Sequence, residues 1–179
     1  MPPLSITLHG VFMEIAGLGV LLSGASGAGK GELALELITR GHRLIADDAP
    51  EFSLSIGKKL TGICPGVLQD FLEVCILGVL NVRYLFGDPA ICPEASLDLI
   101  VRLEQSDKPA LRDIGNPLAG TRNVLGIGIP EIILQILPGR NLAVLVECLA
   151  RNHRLQLQGC NTARDFGLLQ QQTMANLGP

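Results

Sequence analysis

At 179 residues, 47% apolar and only 3% aromatic, the chain has the length of one domain with a sizeable buried core. A net charge of −3 without any basic run argues against a nucleic-acid partner, and no apolar stretch reaches the roughly 18 residues of a membrane-spanning helix. The opening "MPPLSITLHG" lacks the basic-then-apolar pattern of a secretory signal, so a cytoplasmic location is expected.

Abundant Leu, Ile, Val and Gly point to an α/β protein with β-branched buried strands. "SITLHGVFMEIAG" followed by "LGVLLSG" reads as strand, turn, strand. "GKGELALELITRG" reads as a helix that Gly41 stops. "HRLIADDAP" starts apolar and ends on two acids and a proline, as a strand leaving into a loop does. "EFSLSIGKKLTGI" has the form of a hairpin turning near Gly57-Lys58, and "SLDLIVRLE" alternates like a strand. The polar, Pro- and Gly-containing stretch from Gln105 to Arg122 is expected to be a mobile loop. "EIILQIL" is a further strand. Pro138-Gly139 introduces the helix "RNLAVLVECLARNH", and "NTARDFGLLQQQTMA" forms the last helix, capped by Asn161 or Thr162. The five cysteines are odd in number and contain no Cys-x-x-Cys pair, so reduced thiols are expected rather than zinc or disulfides.

The motif with the clearest chemistry is Gly24-Ala25-Ser26-Gly27-Ala28-Gly29-Lys30. It has the spacing of a phosphate loop and lies between a predicted strand and a predicted helix. Its glycines let main-chain N–H groups turn inward towards phosphate oxygens, the helix start adds partial positive charge, and Lys30 reaches the outer phosphates. Gly31 then stands where such loops carry the Ser or Thr that binds Mg²⁺. Weakened metal positioning is expected, with water in place of the hydroxyl. Gly31→Ser is expected to raise activity at low Mg²⁺.

Asp47-Asp48 follows a predicted strand, which places both carboxylates where ligands bind in α/β sheets. One would hold the metal and the other would take a proton from an attacking hydroxyl. The competing reading is a solvated pair, or a helix cap before Pro50.

The stretch from "LHGVFMEIAG" through the phosphate loop to "LIADDAPE" resembles the catalytic domain of bacterial HPr kinase/phosphorylases. "LEVCILGVLNVRYLFG" is similar to that family's signature segment and "PGRNLAVLVE" to a later block. The resemblance implies a P-loop catalytic domain of HPr-kinase type, a mixed sheet with packed helices, spanning 1–179 as a single domain without the family's N-terminal domain. It implies an ATP- and Mg²⁺-dependent serine kinase of the phosphocarrier protein HPr, with a reverse phosphorylase reaction, acting in regulation of carbon metabolism and assembling as a hexamer. By the same resemblance His9, Lys30, Asp48 and Arg112 are catalytic. Asp48 takes the serine proton in one direction and returns one in the other. The loop from Gly24 to Gly31 holds nucleotide, Glu73 holds metal, Asp47 is the acidic neighbour of Asp48 and from the residue reading the second candidate for the metal, and Arg140 belongs to a segment linked to dephosphorylation.

From the residues alone, blander alternatives stay open. His9 also reads as a strand-end histidine, Glu73 as a surface acid on a helix, Arg112 as a solvated loop residue and Arg140 as a carbonyl cap. Arg83 reads as structural, paired with an acid. The chain departs from the family at Gly31, at Cys75 and Ile76 in place of Arg-Gly, and at Gln135 and Leu137 in place of Pro and Arg. The lost basic side chains weigh most against the phosphorylase direction. They motivate two alternatives: a nucleotide-binding sensor without turnover, and a P-loop kinase with another substrate. "FLEVCILGVLNVRYLFG" is a candidate for subunit packing or for flanking the active site.

Overall fold

The computed structural model describes residues 4–55, 57–106 and 119–176. Eleven strands and four helices occur among them: β1 (Ser5–Thr7), β2 (Val11–Ile15), β3 (Leu18–Gly24), α1 (Lys30–Thr39), β4 (Arg43–Ala46), β5 (Glu51–Leu54), β6 (Leu60–Ile63), β7 (Phe71–Val74), β8 (Gly78–Asn81), α2 (Val82–Phe86), β9 (Glu94–Gln105), β10 (Ala119–Val124), β11 (Ile127–Ile136), α3 (Leu142–Leu157) and α4 (Thr162–Asn176). Nine strands join one mixed sheet along the path β1-β5-β6-β9-β3-β2-β4, with β11 on β9 and β10 on β11. The expected mixed sheet with packed helices is therefore present.

β9 organises the sheet. Its first residues pair antiparallel with β6, and the remainder pairs parallel with both β3 and β11. The carboxyl ends of β3, β9 and β11 consequently face one way, and the segment 24–30 leaves the end of β3. Two apolar layers cover the sheet. On one face Leu33, Ala34, Leu37 and Ile38 of α1 and Ala143, Val146 and Ala150 of α3 bury against Val20, Leu22, Leu99 and Val101. On the other, Phe12 and Phe52 meet edge-to-face, their ring centroids 4.9 Å apart, among Leu21, Ile45, Leu60 and Ile100. Leu37 is fully buried, so Leu37→Ala would cost roughly 2–5 kcal/mol.

Three expectations are corrected. The single strand read through "SITLHGVFMEIAG" is two, because the Gly10 N–H bonds the Asp48 carbonyl (3.3 Å) instead of continuing a ladder. Both ends of the loop expected from Gln105 to Arg122 are strand: β9 runs through Gln105, and β10 covers Ala119–Val124. Arg112 and the middle of that stretch lie outside the described residues. Glu73, weighed as a surface acid on a helix, is on a strand of the two-stranded hairpin β7–β8. The hairpin at Gly57-Lys58 is present as β5–β6, closed by Ser55 N–H on the Lys59 carbonyl (2.8 Å). Asn161 caps α4 by accepting the Arg164 N–H at 3.1 Å. Arg83 is structural as expected, donating to Asp70 at 2.6 and 3.0 Å and also pairing with Asp88.

Candidate active site

Strand β3 ends at Gly24 and α1 begins at Lys30, so residues 25–29 form a strand-to-helix turn. Gly27 and Gly29 hold φ of 77° and 81°, a left-handed backbone that L side chains adopt rarely and glycine adopts freely. Gly29 caps α1 without any side-chain acceptor. The first-turn N–H groups thus face the cleft, the arrangement that receives phosphate at a helix start. The Lys30 ammonium folds back over the loop, donating to the carbonyls of Gly24 (3.0 Å) and Ala25 (2.9 Å).

Opposite the loop, the break between β1 and β2 places His9 next to the end of β4. His9 Nδ1 lies 2.9 Å from Asp48 Oδ1, and both side chains are exposed. Asp48 has φ of 66°, which turns its carboxylate out of the strand direction. Asp47 points differently: its Oδ2 accepts the Glu73 N–H at 2.7 Å. Burial pushes the Asp47 carboxyl above its ordinary value; hydrogen bonds from the Glu73 and Asp48 N–H groups oppose this, and the neighbouring carboxylates of Asp48 and Glu73 reinforce it.

These groups share one cleft of about 300 Å³, whose wall includes His9, Lys30, Gly31, Asp47, Asp48 and Glu73. Ser26, Gly27 and Gly29 of the loop line it too, as does Cys75. Arg140 does not: it lies on a neighbouring groove with Glu32 and Glu36, beyond the first turn of α1. The oxygen donors in the cleft are hard carboxylates, which suit Mg²⁺. Among the described residues no three His, Cys, Asp or Glu side chains group tightly enough to hold an ion by themselves. Such a cation would complete its shell with substrate phosphates and water.

Two features escaped the sequence reading. Ser23 of β3 and Arg102 of β9 are register partners beneath the loop, and among the described residues the buried Ser23 Oγ and Arg102 Nε have no hydrogen-bond partner. Arg102, Glu104 and Gln105 also wall a second recess against Gly24, Ala25 and Ser26. A strand-end arginine within an alternating pattern carries no sequence signal of its own. Gly31 is the other. A side chain there meets main chain, since a Cβ would lie 2.1 Å from the Glu73 carbonyl oxygen. The expected benefit of Gly31→Ser is therefore blocked sterically.

A family model described as HPr Serine kinase C-terminal domain matches residues 4–170. The chain belongs to that family. The HPr kinase/phosphorylase of Xylella fastidiosa (strain M12) is 53% identical over 165 residues, which cover 89% of this chain and 52% of the relative. That of Xanthomonas campestris pv. campestris (strain B100) is 51% identical over 166 residues, covering 90% and 52%. This chain spans about half the length of the curated relatives it matches. Among solved structures, the Hpr(Ser) kinase/phosphatase from Coxiella burnetii superposes with a TM-score of 0.81 at 38% identity, over 90% of this chain and 98% of that one. No helix among the described residues is long and apolar enough to cross a membrane.

Proposed function

We propose that this chain is an ATP-dependent protein serine kinase whose substrate is the phosphocarrier protein HPr, and that the same site runs the reverse phosphorylase reaction. The observation that carries the reading is the His9–Asp48 pair facing Lys30 and the phosphate loop across one cleft. Family membership and the names of the relatives support it.

Each residue has a role that its position supports. The N–H groups of residues 26–31 and Lys30 bind the nucleotide phosphates. Asp48 accepts the proton of the incoming serine hydroxyl, and His9 orients the Asp48 carboxylate. In the reverse direction Asp48 returns a proton to the serine oxygen. Mg²⁺ would be held by the carboxylates of Glu73 and Asp47 together with the phosphates, and it would neutralise charge on the transferring group. Arg112 and Arg140 belong to this reading as the arginines of the transfer and dephosphorylation segments. A cytoplasmic hexamer completes it.

A second reading has one observation of its own. Cys75 lines the cleft wall at the position where the family resemblance leads one to expect arginine, and a thiol there offers phosphate no bidentate partner. That favours a nucleotide-binding sensor without turnover. The test is transfer of labelled γ-phosphate from ATP to HPr with Mg²⁺ titrated, beside a direct ATP-binding measurement. Transfer supports the kinase. Binding without transfer at any Mg²⁺ concentration supports the sensor.

A further inference from the structure

The glycine at position 31 does more than omit a hydroxyl, and what it does rests on the kinase reading above. A Cβ on Gly31 would stand 2.1 Å from the Glu73 carbonyl oxygen, 3.2 Å from that carbonyl carbon and 3.4 Å from Val74 Cα. All three atoms are main chain, so rotating a side chain relieves nothing. β7 can lie against the first turn of α1 only because position 31 is glycine.

The orientation of that carbonyl follows from strand pairing. Glu73 is opposite Val79 in the β7–β8 hairpin. Its N–H is not used in that ladder but donates to Asp47 Oδ2 at 2.7 Å. In an antiparallel pair a residue turns both main-chain groups to its partner or both away from it. The Glu73 carbonyl therefore leaves on the outer edge with its N–H, towards α1. An oxygen atom thus fills the volume of the missing side chain, on the cleft wall shared by Lys30, Gly31, Asp47 and Glu73. A main-chain carbonyl and a serine hydroxyl are both neutral hard oxygen donors, acceptable to Mg²⁺ and Mn²⁺.

We propose that the Glu73 main-chain carbonyl takes over the metal-facing role of the phosphate-loop hydroxyl, with Gly31 as the residue that admits it. Asp47 then has a positioning role beside its place at the metal, since its Oδ2 holds the Glu73 N–H and so fixes the direction of the carbonyl. Position 31 exchanges one oxygen donor for another, and the metal site gains a donor from the hairpin that also carries the Glu73 carboxylate.

The test uses Mn²⁺ as the probe, with a non-hydrolysable ATP analogue on the full chain, and follows free Mn²⁺ by electron paramagnetic resonance. Gly31→Ala and Gly31→Ser should both bind Mn²⁺ about tenfold more weakly than the unmodified chain, with Ser no better than Ala. Mn²⁺ affinity is compared at saturating analogue in every case, so a weaker hold on the nucleotide does not enter the comparison. Tighter Mn²⁺ binding by Gly31→Ser than by the unmodified chain overturns the proposal. A second measurement needs no variant at position 31. The chain is made by cell-free synthesis with glutamate carrying carbon-13 at its main-chain carbonyl, and the Mn²⁺ complex is examined by electron–nuclear double resonance. A strong carbon-13 coupling that disappears in Glu73→Asp is the expected result. Its absence, or its persistence in Glu73→Asp, refutes the assignment. Carbonyl coupling without any phosphate transfer to HPr would sink the kinase reading and leave this one standing.

Discussion

His9 Nδ1 and Asp48 Oδ1 lie 2.9 Å apart on the wall of the phosphate-loop cleft, on a backbone that turns left-handed at Asp48 with φ of 66°. That backbone decides how the proton-transfer role is best tested. Asparagine tolerates the left-handed region about as well as aspartate, whereas alanine does not. Asp48→Asn removes the proton acceptor with little added strain. Phosphate transfer should fall on the order of 10²–10⁴-fold while ATP affinity is kept. His9→Ala should give a smaller loss, since the acid remains and only its orientation is relaxed. A fully active Asp48→Asn would remove Asp48 from the chemistry.

Lys30 donates to the Gly24 and Ala25 carbonyls, so its removal affects the loop as well as the ligand. Lys30→Ala should reduce ATP affinity below detection in a calorimetric titration while leaving the far-ultraviolet circular dichroism unchanged. Lys30→Arg separates charge from shape, because a planar guanidinium cannot occupy the ammonium's position between two carbonyls. It should recover little affinity. ATP binding at the original strength in Lys30→Ala would disprove the phosphate-loop assignment.

The parts of this site that were legible in the sequence are local. Glycine spacing marks the loop, helical periodicity marks α1, and the acid pair marks the end of β4. Long-range placement was not legible. The reason for Gly31 lies at Glu73 and Val74, on a hairpin distant in sequence. "FLEVCILGVL" is a short apolar run that strand and helix both accommodate, so the hairpin had no distinguishing period. β10, "AGTRNV", has few apolar residues, and its strand state depends on pairing with β11. The split between β1 and β2, which brings His9 to Asp48, depends on hydrogen bonds to Asp48 and Pro50 that no local pattern announces.

The cysteines offer a check on the cleft. All five are free. The Cys64 thiol is pushed up to about 11 by burial, reinforced by the carboxylates of Asp70 and Asp47, and Cys92 is buried with its thiol on the Glu94 carbonyl (3.2 Å). Cys75, Cys148 and Cys160 are exposed. Alkylation at neutral pH should label those three and spare Cys64 and Cys92, as peptide mass mapping would show. Bound ATP should slow labelling of Cys75 alone, because only Cys75 among the three lines the cleft with Lys30 and Asp48. Equal protection of Cys148 would point to a general tightening of the fold instead.

Acid stability should depend on Glu147, which ties α3 to the end of α1. Its carboxylate accepts from Arg40 Nε at 2.7 Å and pairs with His42 Nε2 at 2.8 Å, while His42 Nδ1 accepts the Ala16 N–H at 3.4 Å. Burial alone would raise the Glu147 carboxyl, but hydrogen bonds from His42 and Arg40 outweigh it and hold the group below its ordinary 4.5. A carboxyl depressed in the folded state stabilises the fold above its unfolded value, and that contribution is lost as pH falls through the folded value. Glu147→Gln should therefore lower stability at neutral pH by about 1–3 kcal/mol, read as a drop in Tm of several degrees. The gap between variant and unmodified chain should narrow once pH falls below 4.5, because protonation then removes from the unmodified chain the charge that the variant already lacks. A gap that stays constant from neutral pH down to about pH 3 would mean that the Glu147 carboxylate contributes shape and not charge.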